Sequence, residues 1–278
     1  MRSIAAAFLL LPCAASAQPW LEKFPAAAID RPLTLPEDTV ELSLLAASSS
    51  DSGTSTGGSA ALGVELGVGD GQAGIAVAVP AIPGFGFGSV VGSASYLIDP
   101  RLAFRVDLAF DHSQGDVGRP NFNFYALGGG LPAKLKLSPE LALITGRVGA
   151  MGFAHFANLS VGGVGFYRGA SLPFEGADLV VYTKQEDAGS QLMLQLPLGL
   201  VYQPARFLAI TARAGYQVMI VTSGDGVTRH FLPLGLEAVV SAGRSVDVGA
   251  SFGLAGEVQG GGSYADTVMG EVWLRVRP

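Results

Sequence analysis

Residues 204–278 alternate between apolar and polar with few lapses. Ile210, Ala212, Ala214, Tyr216, Val218 and Ile220 share one face, and Thr211, Arg213, Gly215 and Gln217 share the other. After Ala242-Gly243-Arg244, Val246, Val248, Ala250, Phe252 and Leu254 oppose Asp247, Gly249, Ser251 and Gly253. Period 2 places successive side chains on opposite sides of an extended chain, so this stretch predicts strands. Charge confined to one face predicts that the two faces meet different solvents. In a soluble barrel the apolar face points inward; in a membrane-spanning barrel it points outward, into lipid.

Composition favours the second arrangement. Only 14% of residues are charged, against about a quarter in an ordinary soluble domain, and mean hydropathy is +0.41. A soluble surface is hard to build from so few charges, whereas an outer face solvated by lipid needs almost none. A helical span does not explain the hydrophobicity. The uncharged stretch 71–98 contains Pro80, Pro83 and glycines at 71, 74, 84, 86, 88 and 92, which disrupt a helix. Its Ile75, Val77 and Val79 fit a strand.

The chain begins Met1-Arg2-Ser3, continues apolar over 4–11 and reads Ala15-Ser16-Ala17 before Gln18. One cation, a short apolar stretch and a small-x-small site predict a secretory signal over 1–17, cleaved after Ala17. The apolar stretch is too short to span a bilayer. Cleavage would remove Cys13, the sole cysteine, leaving no thiol chemistry and no disulfide. It would also remove Arg2, taking 17 basic residues to 16 against 23 acidic and the formal charge from −6 to −7. That balance argues against a nucleic-acid partner. Residues 18–37 are proline-rich and aperiodic and read as an extended periplasmic lead-in. The barrel itself is expected over 38–278.

Twelve strands can be placed, with ten or fourteen as alternatives that turn on residues 155–190. Leu62, Val64, Leu66 and Val68 define one apolar face; Leu102, Phe104, Val106, Leu108 and Phe110 another, opposite Arg105 and Asp107. Leu192, Leu194, Leu196, Leu198, Leu200 and Tyr202 define a third. The connections alternate in length. Those at 69–71, 99–101, 138–140, 204–206 and 242–244 are short, and those at 48–59, 80–85, 111–121, 155–190, 222–229 and 257–265 are mostly longer. Bacterial outer-membrane barrels have this asymmetry, with short periplasmic turns and longer external loops. Leu196-Pro197-Leu198-Gly199-Leu200 recurs as Leu232-Pro233-Leu234-Gly235-Leu236, with Gly130-Leu131-Pro132 a looser copy. Proline removes a ladder donor, so these sites predict bulges or bends in the wall.

Taken together, the chain resembles the bacterial outer-membrane β-barrels, on pattern over nearly its whole length. Asp30-Arg31-Pro32-Leu33-Thr34-Leu35-Pro36, before the first strand, looks like the openings of porin-like barrels. The resemblance implies an all-β, antiparallel up-and-down transmembrane barrel in the outer membrane. It also implies a porin-like channel or transporter for small solutes. Its expected partners are outer-membrane lipid, lipopolysaccharide, the outer-membrane assembly machinery and the solutes themselves. One departure is the end Val276-Arg277-Pro278, where such barrels often carry a terminal aromatic residue.

The polar face carries the candidate lumen-lining residues Glu41, Glu65, Arg105, Asp107, Lys134, Lys136, Arg147, Arg213, Glu237, Asp247, Glu271, Arg275 and Arg277. These can pair across strands or line an aqueous pore, and strand number does not separate the two outcomes. Tyr96, Tyr125, Tyr167, Tyr182, Tyr202, Tyr216 and Trp273 fall near strand ends, where interfacial aromatic girdles belong.

A hydrolase would need a nucleophile, a base and an orienting group in reach of one another. The three histidines, His112, His155 and His230, are scattered, and His112 and Ser113 alternate faces. No catalytic residue, cofactor site or metal site is therefore expected. The alternatives to a channel are a non-conducting structural or adhesive barrel, a secreted soluble ligand-binding barrel, and an outer-membrane lipid-modifying enzyme.

Overall fold

The computed structural model describes residues 24–51, 57–82, 89–113, 122–145, 159–160, 166–167, 178–185, 189–221, 228–254, 257–259 and 267–278. Twelve antiparallel wall strands form one nearly closed barrel. The first five are β1 (Val40–Asp51), β2 (Gly57–Val68), β3 (Gly71–Ile82), β4 (Ser89–Asp99) and β5 (Leu102–Ser113). Next, β6 joins Phe122–Gly130 to Lys134–Lys136, and β7 joins Leu141–Ile144 to Asp178–Gln185. Then come β8 (Gly189–Ala205) and β9 (Leu208–Val221). Thr228–Phe231 with Leu234–Ala242 makes β10, and Val246–Leu254 with Glu257–Gln259 makes β11. Last is β12 (Thr267–Val276), which pairs with both β11 and β1 and carries the sheet round.

Consecutive strands meet at tight turns around Gly69-Asp70, Pro100-Arg101, Ser138–Glu140, Arg206-Phe207 and Gly243–Ser245. All five lie at one end, called here the near end. They match the five short connections expected from sequence.

The wall sorts its residues as period 2 requires. Leu62, Val64, Leu66 and Val68 are exposed on the outer face, while Ala61, Gly63, Glu65 and Gly67, which alternate with them, are buried. On β5, Leu108 is 60% exposed and its neighbour Asp107 is 0%. A one-residue slip in register would exchange those two environments, so the alternation fixes the register of every strand.

The seventh position of the wall departs from the sequence reading, which ran one strand from 141 to about 154. Leu141–Ile144 pairs with residues 199–202 of β8 at the near end, and Asp178–Gln185 pairs with the upper part of the same β8 edge. Two stretches of chain, Leu141–Ile144 and Asp178–Gln185, thus share one position in the wall. Leu159–Ser160 and Phe166–Tyr167 pair only with each other. The cause lies in length: β8 spans 17 residues, and the four residues of Leu141–Ile144 satisfy only its lower edge. The upper edge takes its partner from later in the chain. The twelve-strand count holds, with a different segment completing it.

The repeat prolines interrupt the ladder without shifting it. Pro197 and Pro233 both lie opposite Gly215, whose N–H donates to the Pro233 carbonyl at 3.1 Å. Pro132 accepts from the Ala103 N–H at 2.8 Å. Strand pairing resumes in the same register on either side of Pro132 and Pro233, so of the bulges or bends expected, a bulge is absent at these two and each is a gap in the bonding.

Candidate functional site

The inner face of the near end holds a dense set of buried charges. Glu41, Glu65, Arg105, Asp107, Glu237, Asp247, Glu271, Arg275 and Arg277 are all buried there. Strand register brings them together in rows. Arg275 on β12 faces Asp247 on β11, which faces Ser241 on β10. Two rows further in, Glu271, Ser251, Glu237 and Thr211 follow one another from β12 to β9. Arg105 and Asp107 share a face two residues apart on β5 and join through Nε and a terminal nitrogen at 2.8–2.9 Å.

Glu41 and Glu65 lie directly opposite each other on β1 and β2, an unfavourable placement for like charges. Cations relieve it. Arg277 reaches Glu41 at 2.6 Å and Asp247 at 2.8 Å, Arg275 lies 3.6 Å from Glu41, and Gln72 donates to Glu65 at 3.3 Å. Arg213 pairs with Glu237 at 3.2 Å. Buried charges are costly unless paired, and this network pairs them within a strand or between neighbouring strands.

Trp273 corrects an expectation. It shares parity with Glu271 and Arg275, so it points inward and lies under the Arg275 guanidinium, 4.3 Å from ring centre to Cζ. Its ring rests against β11 where only a glycine fits, since a Cβ on Gly249 would lie 2.1 Å from Cζ2. The outer near-end aromatics are instead Tyr96, Phe104, Tyr202 and Phe207, all exposed.

The largest addition to the sequence reading is the lead-in. Residues 24–37 do not stand outside the barrel; they fold into its near end. A short 3-10 turn, Ala28–Asp30, sits against β8 and β9. Phe24, Ile29, Leu33 and Leu35 are buried, and Arg31 is 1% exposed. The Arg31 guanidinium makes a two-pronged contact with Asp247, at 2.5 and 2.9 Å. It also donates to Ser241 Oγ at 3.1 Å and to the carbonyls of Pro25 and Ala26 at 3.1 and 3.0 Å. Phe24 lies between cations, with Arg31 5.1 Å and Arg277 4.4 Å from its ring centre. Desolvation lowers the Arg31 pKa from its ordinary value, and the hydrogen bonds and charge of Asp247 oppose that fall.

The wall holds the lead-in backbone with side chains. Gln203 accepts from the Ile29 N–H at 2.8 Å and Gln72 from the Leu35 N–H at 2.7 Å. Lys134 donates to the carbonyls of Ile29 (3.2 Å) and Arg31, and Lys136 pairs with Asp30 near the rim. The lead-in then passes so close to β2 that a Cβ on Gly67 would meet the Pro36 carbonyl at 1.9 Å.

Of the thirteen lumen candidates, Glu41, Glu65, Arg105, Asp107, Arg213, Glu237, Asp247, Glu271, Arg275 and Arg277 face the interior, and Lys136 lies at the rim. Lys134 reaches inward from the rim, and Arg147 lies outside the described residues. Sequence reading passed over Arg31, Phe24, Gln72, Gln203 and Ser241. One signal was present: a lone arginine set among Phe24, Ile29, Leu33 and Leu35 needs a buried counter-ion if that apolar segment packs. His112 lies at the far end of β5 opposite Asn123, and His230 at the start of β10, where its Nδ1 is 2.6 Å from the Tyr216 hydroxyl. Those two are five wall positions apart, and His155 lies outside the described residues.

No protein-family model matches the chain, and no curated protein sequence does. Solved structures do match. An outer-membrane channel from Pseudomonas putida F1 superimposes with TM-score 0.55 at 8% identity, over 90% of this chain and 98% of that one. The fold is that of the outer-membrane β-barrels. The beta domain of a Bordetella autotransporter, BrkA, superimposes with TM-score 0.50 at 12% identity, over 87% of this chain and all of that one. LpxR from Salmonella typhimurium matches at TM-score 0.48 and 10% identity, over 83% and 99%, too distant to inform function. At these identities the barrel shares an architecture with its neighbours and nothing more specific.

Proposed function

We propose that this barrel is exported behind a cleaved signal, inserts in a bacterial outer membrane and passes small solutes, with its near end facing the periplasm. One observation carries the transport reading. The near end of the lumen is filled by a chain segment that is not part of the wall. A barrel closed by its own wall side chains leaves no room for one. This wall admits backbone and side chains of residues 24–37 together, so its near end is wider than its own side chains fill.

The membrane reading rests on the outer face. Leu62, Ile75, Leu108, Leu196, Leu236, Phe252 and Val272 are all more than half exposed and distributed around the ring. Lipid solvates such a band; water does not. Lipid and lipopolysaccharide are accordingly its surroundings, and the assembly machinery its route of insertion. Reconstitution tests both parts. The expected result is recovery in the outer-membrane fraction and discrete current steps from the refolded protein in planar bilayers. Recovery in solution without detergent contradicts the membrane reading, and silence from a folded barrel under all conditions contradicts transport.

A further inference from the structure

Resting on that transport reading, we infer that residues 24–37 are a displaceable stopper for the near mouth, latched by Arg31 on Asp247. Three observations lead there. The first concerns how the segment is attached. Among the described residues, the backbone bonds outside the strands join wall to wall or stay within the lead-in until Asp38 and Thr39, which bond to Gly67. From residue 24 to 35 the attachment runs through side chains: Gln203, Gln72, Lys134, Lys136, Asp247 and Ser241. The segment can leave without opening a single rung of the barrel.

The second observation is that the wall keeps a partner for Asp247 when Arg31 goes. Arg277 already lies 2.8 Å from the same carboxylate and 2.6 Å from Glu41. Departure of the lead-in therefore leaves a wall whose acids still face cations, rather than a stranded buried charge. The third is geometric. Gly67 allows the chain to pass against β2 at Pro36, and Asp38, just beyond it, has φ 63°. This left-handed residue is unusual for a non-glycine, and it marks a sharp change of direction between stopper and wall. A pivot at 36–39 would swing the segment towards the periplasmic side while β1 stays paired.

Burial of Phe24, Ile29, Leu33 and Leu35 makes the closed state the resting one. Opening is then the rarer event, and loosening the latch favours it.

The test uses full-length protein in planar bilayers. Replacing Leu35→Cys together with Gln72→Cys puts a thiol pair where the Leu35 amide meets the Gln72 side chain, in a mature chain otherwise free of cysteine. Oxidation is expected to abolish current and reduction to restore it in the same bilayer. Arg31→Glu, which sets a carboxylate against Asp247, is expected to raise open probability at least tenfold, and Arg31→Lys to stay within threefold of wild type. If the oxidised pair conducts as the reduced one does, conduction bypasses the lead-in and the stopper is overturned while transport stands. Equal open probability for Arg31→Glu and wild type overturns the latch. If wild type, the reduced pair and Arg31→Glu are all silent while each refolds to a heat-resistant barrel, the transport reading fails and the stopper falls with it.

Discussion

The wall and the lead-in it encloses are held by different forces. Each wall strand is fixed on both edges by backbone hydrogen bonds, and its side chains are sorted by parity into apolar and polar environments. The lead-in has no ladder. Four apolar side chains and one arginine hold it, and it borrows its hydrogen-bond partners from glutamine, lysine and aspartate side chains of the wall. Backbone ladders spread their strength over many equal bonds, whereas side-chain attachment concentrates it at a few residues. A substitution at one of those few therefore changes the lead-in more than a typical substitution changes the wall.

Asp247 is where the two regions meet, so its removal should have the largest effect. Asp247→Ala leaves the buried Arg31 without its carboxylate, while Arg277 keeps Glu41. Losing one partner of a buried ion pair costs about 3–5 kcal/mol. Urea unfolding in detergent micelles should show that loss, and Asp247→Asn should recover part of it. A loss below about 1 kcal/mol would mean that the lead-in is not docked through this contact.

The outer face comes next. Leu108→Arg should cost about 2–4 kcal/mol in lipid if the residue faces the bilayer midplane, measured by equilibrium unfolding in vesicles. Tolerance of arginine there would remove the contrast between the two faces of the wall. Gly249→Val drives a side chain into the Trp273 ring and should cost about 1–3 kcal/mol through overpacking. It should also shift the Trp273 emission, and an unchanged spectrum would place the ring elsewhere. The smallest effect is expected at the half-exposed Tyr216–His230 contact. Tyr216→Phe should cost about 0.5–1.5 kcal/mol or less, with conductance unchanged, because this pair touches neither stopper nor latch.

The same difference in forces explains which parts could be read from the sequence. The wall's apolar faces, near-end turns and inward acids were readable because period 2 is a local rule that Leu102–Phe110 or Leu192–Tyr202 obey residue by residue. The completion of β7 by Asp178–Gln185 was not, because it depends on the spare edge of β8, whose length no local pattern in 178–185 records. Trp273 was placed with the girdles on residue type, although its parity with Glu271 and Arg275 already put it inside. The lead-in was the hardest case. It has no period, and its docking depends on Asp247, 216 residues away along the chain.

Solute entry into lipid vesicles tests the central claim most directly, that this wall encloses a passage closed by its own lead-in. Vesicles carrying the refolded full-length protein would be placed in isotonic solutions of a small neutral sugar and their swelling followed by light scattering. The account predicts slow swelling with wild type and fast swelling with Arg31→Glu, falling off as the sugar is enlarged. Swelling no faster than protein-free vesicles for both proteins, each verified as a folded and inserted barrel, would contradict it.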